Sequence, residues 1–144
     1  MKLSTKVRYG TRAMVDLAMH QSEKPVLVKA IAERQSLSKK YLESLLAALK
    51  TAGLLRSVRG AKGGYLLARN PDEITLEMVT NALDGPLALT DCVDTPSVCG
   101  QARDCVTREL WRDLTEALRA KLREITLADL ARRCAKKENK LRKA

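Results

Sequence analysis

The sequence contains no phenylalanine and only 3% aromatic residues, so Leu, Val, Ile, Ala and Met have to fill its core. It has no run of 18 apolar residues, and no apolar signal core follows Met1-Lys2-Leu3-Ser4-Thr5-Lys6. A membrane span and a secretory leader are therefore not expected, and the chain is read as cytoplasmic. It has one histidine, His20, no paired catalytic carboxylates and no nucleophile motif, which points away from an enzyme. His20 is read as a surface residue ending a helix. Four cysteines include no C-x2-C pair, so zinc-ribbon spacing is missing. What remains is 144 residues, 45% hydrophobic and 31% charged. That suits one globular domain with an appended arm, and excludes wholesale disorder.

The net charge of +10 is unevenly distributed. Residues 1–70 hold 14 Lys/Arg against 4 Asp/Glu, residues 71–131 hold 6 against 12, and residues 132–144 hold 7 against 1. A solubilising surface normally mixes its signs, so this segregation favours a polyanionic partner, nucleic acid ahead of an anionic membrane.

The periodicity predicts a first helix from Leu3 to about His20, with Val7, Met14, Leu17 and Ala18 on one stripe and Ser4 or Thr5 as N-cap. Lys24-Pro25 ends it, and a short helix over Val28–Gln35 turns Val28, Ile31 and Ala32 inward. After Ser36-Leu37, Ser38 caps a third helix in which Leu42, Leu45, Leu46 and Leu49 fall at i, i+3, i+4 and i+7, stopped by Gly53. Its opposite face carries Lys39, Lys40, Glu43, Ala47 and Lys50, with Tyr41 and Ser44 beside them. Two strands follow, Leu54–Val58 and Tyr65–Ala68, joined by Arg59-Gly60-Ala61-Lys62-Gly63-Gly64, a glycine-rich basic tip. Thr75 caps a helix through Leu76, Val79 and Leu83. Residues 86–105 show no period. A long helix then carries Leu110, Leu114, Ala117, Leu118, Leu122 and Ile125, with Trp111 beside the stripe as a packing residue. Thr126-Leu127-Ala128-Asp129 resembles a capping box opening a last helix. There Leu127, Leu130, Ala131 and Cys134 face inward, and a frayed tail follows from Lys136.

Two short helices followed by a basic hairpin is the order of a winged helix-turn-helix. In that arrangement the second short helix enters the major groove and the wing lies on a neighbouring groove or phosphate. Lys39, Lys40, Arg56 and Lys62 suit phosphates, whereas Tyr41, Glu43, Ser44 and Arg59 have the length or polarity for base edges. Gly60, Gly63 and Gly64 would bring backbone amides close to the sugar–phosphate chain. The plainer alternative is an αα-hairpin beside a β-hairpin with solvated charges.

Cys92, Cys99 and Cys105 form a C-x6-C-x5-C run in the aperiodic segment. Three thiols there suit one soft-ligand centre, an iron–sulfur cluster or zinc, or are unrelated cysteines. Cys134, on an apolar stripe, is read as a core thiol.

Several stretches together resemble the IscR-type winged-helix regulators of bacteria, which include nitric-oxide-sensing and cysteine-metabolism repressors. They are Met1–Gly10, Ile31-Ala32-Glu33-Arg34, Tyr41-Leu42-Glu43, Gly53-Leu54, Ser57-Val58-Arg59-Gly60, Gly63-Gly64-Tyr65-Leu66-Leu67, the three cysteines and Leu110-Trp111-Arg112-Asp113-Leu114. The resemblance covers roughly residues 1–134. It implies a homodimer joined through the long helix, binding of double-stranded DNA by the helix at 38–52 and the wing, and an iron–sulfur cluster on Cys92, Cys99 and Cys105. Cluster-assembly regulators of the family have a His three residues after the third cysteine, where this chain has Arg108. Nitric-oxide sensors use an acid near position eight, and Lys6, Val7, Arg8 and Tyr9 supply none. Cysteine-metabolism members lack the three cysteines. The fourth ligand is unassigned among Asp91, Asp94, Asp104, a small thiol and water.

The expected organisation is mainly α with a β-hairpin wing. A winged helix-turn-helix spans 1–84, a cysteine-bearing loop 85–105, a dimerisation helix and final helix 106–135, and a basic tail 136–144. The expected function is transcription regulation by a cluster-responsive dimer. A thiol- or zinc-switched regulator without iron, and a basic module binding an acidic protein, stand as alternatives.

Overall fold

A computed structural model describes residues 2–144; Met1, first residue of the N-terminal motif, lies outside them. Helix α1 (Thr5–Met19) starts where the Ser4 hydroxyl accepts from the Val7 amide at 3.2 Å, so Ser4 is the cap. Helix α2 covers Val28–Gln35. It ends at Ser36, which adopts a left-handed conformation (φ 53°), while Ser36 and Leu37 amides return to the carbonyls of Glu33 and Ala32. This tight stop turns the chain into α3 (Lys39–Thr51), capped by Ser38.

Strands β1 (Leu55–Val58) and β2 (Gly64–Leu67) pair antiparallel, Leu55 opposite Leu67 and Val58 opposite Gly64. Val26 adds a one-residue bridge to Tyr65, with both amide bonds at 2.9 Å. A 3-10 turn (Pro71–Glu73) leads to α4 (Leu76–Asp84), capped by Thr75. One core joins these elements: Met14, Leu17, Ile31, Leu42, Leu46, Leu49, Leu54, Ile74 and Val79 are almost wholly excluded from solvent. Each such side chain contributes about 1.5–3 kcal/mol by leaving water.

The aperiodic segment is not wholly irregular. It contains the single turn α5 (Asp91–Asp94) and a 3-10 turn at Pro96–Val98, elements too short for a periodic signal. Helix α6 (Val106–Glu124) follows, and the residues after it are stitched to the first half: Leu76 N–H donates to Ile125 C=O and Leu127 N–H to Ile74 C=O, both at 2.9 Å, around a Thr75–Thr126 bridge. The expected capping box is present, with Thr126 and Asp129 bonded reciprocally at the start of α7. Helix α7 spans Leu127–Lys143, so the segment expected to fray from Lys136 continues the helix. Residues 136–143 contain no Gly or Pro and are rich in helix formers, and the cations of the last turn complement the negative end of the helix dipole. Leu127 is fully buried, and Leu130 and Cys134 pack on the same core.

Candidate nucleic-acid interface and cysteine loop

On α3 the Leu42, Leu45, Leu46 and Leu49 stripe is buried, which turns the other face outward. Lys39, Lys40, Glu43 and Ser44 are exposed there, Lys39 and Glu43 forming a loose pair at 3.8 Å. Tyr41 is half-buried, its ring edge-to-face with Tyr9 at 6.2 Å, and the Ser44 hydroxyl donates to the Tyr41 carbonyl at 2.7 Å. Two candidates for base contact are thus engaged with neighbours. The Lys50 ammonium donates to the Ser57 hydroxyl at 2.6 Å, fixing the wing to the end of α3.

The wing exposes Arg56, Arg59, Gly60 and Lys62. Gly63 and Gly64 also have a task within the wing itself. The Gly63 amide donates to Gly60 C=O at 2.9 Å, and a Cβ there would lie 2.2 Å from the Val58 oxygen. A Cβ on Gly64 would meet the Val26 oxygen at 2.1 Å. Both glycines serve the close packing of the wing, and Gly60 alone of the three stays exposed at its tip.

Sequence reasoning missed what orients the two short helices. Asp16 is 3% exposed and accepts from the Arg34 guanidinium, Nη2 at 2.6 Å and Nε at 2.9 and 3.2 Å to the two oxygens, and from Gln35 Nε2 at 2.9 Å. The Asp16 bond raises the Arg34 pKa. Arg12 reaches the Gln35 side chain and carbonyl, both at 3.1 Å, and stands over the Tyr9 ring. These polar ties fix α2 against α1. His20 caps α1 with an exposed ring whose Nδ1 lies 2.8 Å from the Asp16 carbonyl.

The cysteine loop is clasped by one face of α6. Arg108 donates to the carbonyls of Cys92 (2.6 Å), Val93 (3.3 Å) and Ala102 (3.5 Å). The buried Thr115 hydroxyl accepts from the Leu89 amide, and Arg119 holds Leu87 C=O at 2.8 Å and the Asp94 carboxylate at 2.5 Å. Asp94 is therefore taken by a cation. Cys92 is half-buried with its sulfur 3.3 Å from the Thr90 hydroxyl, Cys99 is exposed, and Cys105 caps α6. The Thr107 hydroxyl and the Arg108 amide lower the Cys105 thiol pKa. Among the described residues no three His, Cys, Asp or Glu side chains are gathered to hold a metal ion. The donor set suits a thiolate-ligated centre, but the loop as placed does not bring its sulfurs together.

The other face of α6 is apolar and uncovered. Val106, Leu110, Trp111, Leu114 and Leu118 are 77%, 52%, 38%, 44% and 39% exposed. Trp111, expected as a packing residue, belongs to this open stripe. No helix among the described residues is long and apolar enough to cross a membrane.

The two-helix unit, the wing and the single shared core define a winged helix-turn-helix protein. Residues 3–133 match the Rrf2 family, described as an iron-dependent transcriptional regulator, and the chain belongs to that family of transcriptional regulators. It is 45% identical to the protein Rrf2 of Nitratidesulfovibrio vulgaris over 92% of this chain and 88% of that one. It is also 45% identical to the HTH-type transcriptional regulator IscR of Pectobacterium atrosepticum, over 90% and 79%. Among solved structures, T. potens IscR superimposes with a TM-score of 0.76 at 42% identity, covering 93% of this chain and 88% of that one. CymR, the global cysteine regulator of B. subtilis, does so with a TM-score of 0.75 at 40% identity, covering 91% and 96%.

Proposed function

We propose that the protein is a homodimeric, sequence-specific DNA-binding regulator whose occupancy of double-stranded DNA responds to an iron–sulfur cluster. The observation that carries the DNA reading is the joining of the exposed face of α3 to a cationic wing through Lys50 and Ser57. Lys39 and Lys40 at the start of α3, with Arg56, Arg59 and Lys62 on the wing, would then form two cationic projections suited to a groove and its flanking phosphates. Arg59→Ala should lose more on a site selected from a random pool than on unselected duplex, by about 1–3 kcal/mol if it reads a base edge. Equal losses make Arg59 a phosphate contact.

Cys92, Cys99 and Cys105 would supply the thiolates of the cluster, which contributes redox- and ligand-sensitive iron when bound. The description of the family as iron-dependent supports this. The clasp of Arg108, Thr115 and Arg119 keeps the loop on α6, whose apolar stripe is the proposed dimer surface. After anaerobic preparation the wild type should contain iron and sulfide and absorb in the visible. Each of Cys92→Ala, Cys99→Ala and Cys105→Ala should lose that absorption, whereas Cys134→Ala should keep it. Protein that takes zinc but never iron overturns the cluster.

A second reading, a regulator switched through its thiols without iron, is favoured by the separated sulfurs, by Arg108 at the position where the resemblance expects His, and by the likeness to CymR. Iron analysis separates the two.

A further inference from the structure

The cations of the second half of the molecule fall into two groups. On α6 every cation but Arg108, which is spent on backbone carbonyls, is paired: Arg112 with Asp113, Arg119 with Asp94, Lys121 with Glu124, and Arg123 with Glu77 and Glu116. On α7, Arg132 is tied to Asp129 and Asp72. Beyond it, among the described residues, Arg133, Lys136, Lys137, Lys140, Arg142 and Lys143 form no ion pair, and Glu138 is the sole acid of residues 132–144. Every residue from Ala135 to Ala144 is exposed, so the last turns of α7 stand clear of the body for about 13 Å.

The helix sorts these charges. At about 100° per residue, Arg133, Lys136, Lys137, Lys140 and Lys143 fall within an arc of roughly 120°. Lys136 and Lys140, like Arg133 and Lys137, stand four residues apart, a like-charge spacing that destabilises an isolated helix. A surface kept for solubility mixes its signs. This one has a single sign, at a cost to its own helix that a bound polyanion would relieve.

From this we infer that the projecting end of α7 is a further DNA-binding surface, seated on sugar–phosphate backbone in addition to the contacts of α3 and the wing. The inference rests on the DNA-binding reading. The partner is identified by what accompanies the charge. A helix lying in a lipid surface needs a broad apolar face, and a protein interface needs buried apolar or aromatic anchors. Beyond Ala135 the only large apolar side chain is Leu141, 77% exposed. A row of cations without an anchor matches a row of phosphates, and such a contact raises affinity without reading sequence.

The test compares the full chain with its Lys136→Gln/Lys137→Gln/Lys140→Gln/Lys143→Gln variant on a long random-sequence duplex between about 50 and 200 mM salt. Gln keeps helix propensity, and circular dichroism and sedimentation verify that fold and assembly are retained. The variant should bind less tightly at low salt, and its log K against log[salt] line should be shallower by between about 1 and 3.6 per protomer, at 0.9 per phosphate released. Arg at the same four positions should restore the slope, and hydrogen exchange across 135–143 should slow when wild type binds duplex. An unchanged slope overturns the inference while leaving the function intact. Wild type that binds no duplex overturns both. Loss of binding to phosphatidylglycerol vesicles or polyglutamate, with an unchanged duplex slope, also overturns it and moves the surface to that partner.

Discussion

Residues 5–84 bury Leu42, Leu46, Leu49, Leu54, Ile74 and their neighbours against one another, whereas α6, at 19 residues the longest helix, buries only Thr115. The first region is held by apolar packing, with one buried carboxylate, Asp16, tying α1 to α2, and presents its other charges outward. The second is held by side chains gripping backbone: Arg108 on Cys92, Val93 and Ala102, Thr115 on Leu89, and Arg119 on Leu87. Packing makes a scaffold that keeps its shape whatever it binds. The second region sets a polar clasp over an open loop, backed by an uncovered apolar stripe, and it is where the proposed cluster and partner would add contacts.

The same kind of change should therefore have unequal consequences in the two regions. Leu46→Ala leaves a void in the packed core and should cost about 2–5 kcal/mol of stability in denaturant unfolding. Leu114→Asp with Leu118→Asp should leave the folded protomer within about 1 kcal/mol of wild type at dilutions where both are monomers. The pair should weaken self-association by at least about 100-fold in sedimentation, because each carboxylate would be buried against apolar surface. A double variant that stays dimeric removes α6 from the interface.

Arg119→Ala probes the clasp. It leaves the Leu87 carbonyl and the Asp94 carboxylate without their donor, a loss of about 1–3 kcal/mol in local opening. Hydrogen exchange should quicken across residues 87–95 while α1, α3 and α4 keep their protection. Protection lost everywhere would mean that the second region shares the stability of the first.

The apolar frame was legible in the sequence because its signals are local. The Leu42–Leu49 stripe, the Ser38 cap and the Thr126/Asp129 box are all read within eight residues, and all are present. Asp16 was not legible: a carboxylate on the first helix reads as surface, and only its partners, 18 and 19 residues away on α2, make it a buried group. The clasp was hidden for the same reason, since Arg108, Thr115 and Arg119 bond to carbonyls and amides whose positions leave no trace in residue identity. The helix beyond Lys136 was misread because repulsion between like charges is visible in sequence, while the favourable end of the helix dipole depends on where the helix stops.

The smallest effect expected belongs to Asp129, whose carboxyl is lowered to about 2, first by the Thr126 amide and then by Arg132 and the Thr126 hydroxyl. A depressed folded-state pKa stabilises the folded protein above the unfolded value and loses that contribution as pH falls through the folded one, here between about 4 and 2. Asp129→Asn should lower Tm near neutral pH, and its difference from wild type should shrink as pH is taken toward 2. A pH-independent difference would assign the effect to shape instead of charge.

The four-residue seam at Ile74, Leu76, Ile125 and Leu127 gives α6 the mechanics of a lever. Its C-terminal end is bolted beside the first turn of α4, and its other end is Cys105, about 28 Å away along 19 residues. A rigid tilt of about 5° about that fulcrum sweeps the Cys105 end by roughly 2–3 Å, yet shifts atoms next to the seam by only a few tenths of an ångström. Any displacement at the cysteine end would thus be geared down, and force geared up, at α4 and the core that carries α3.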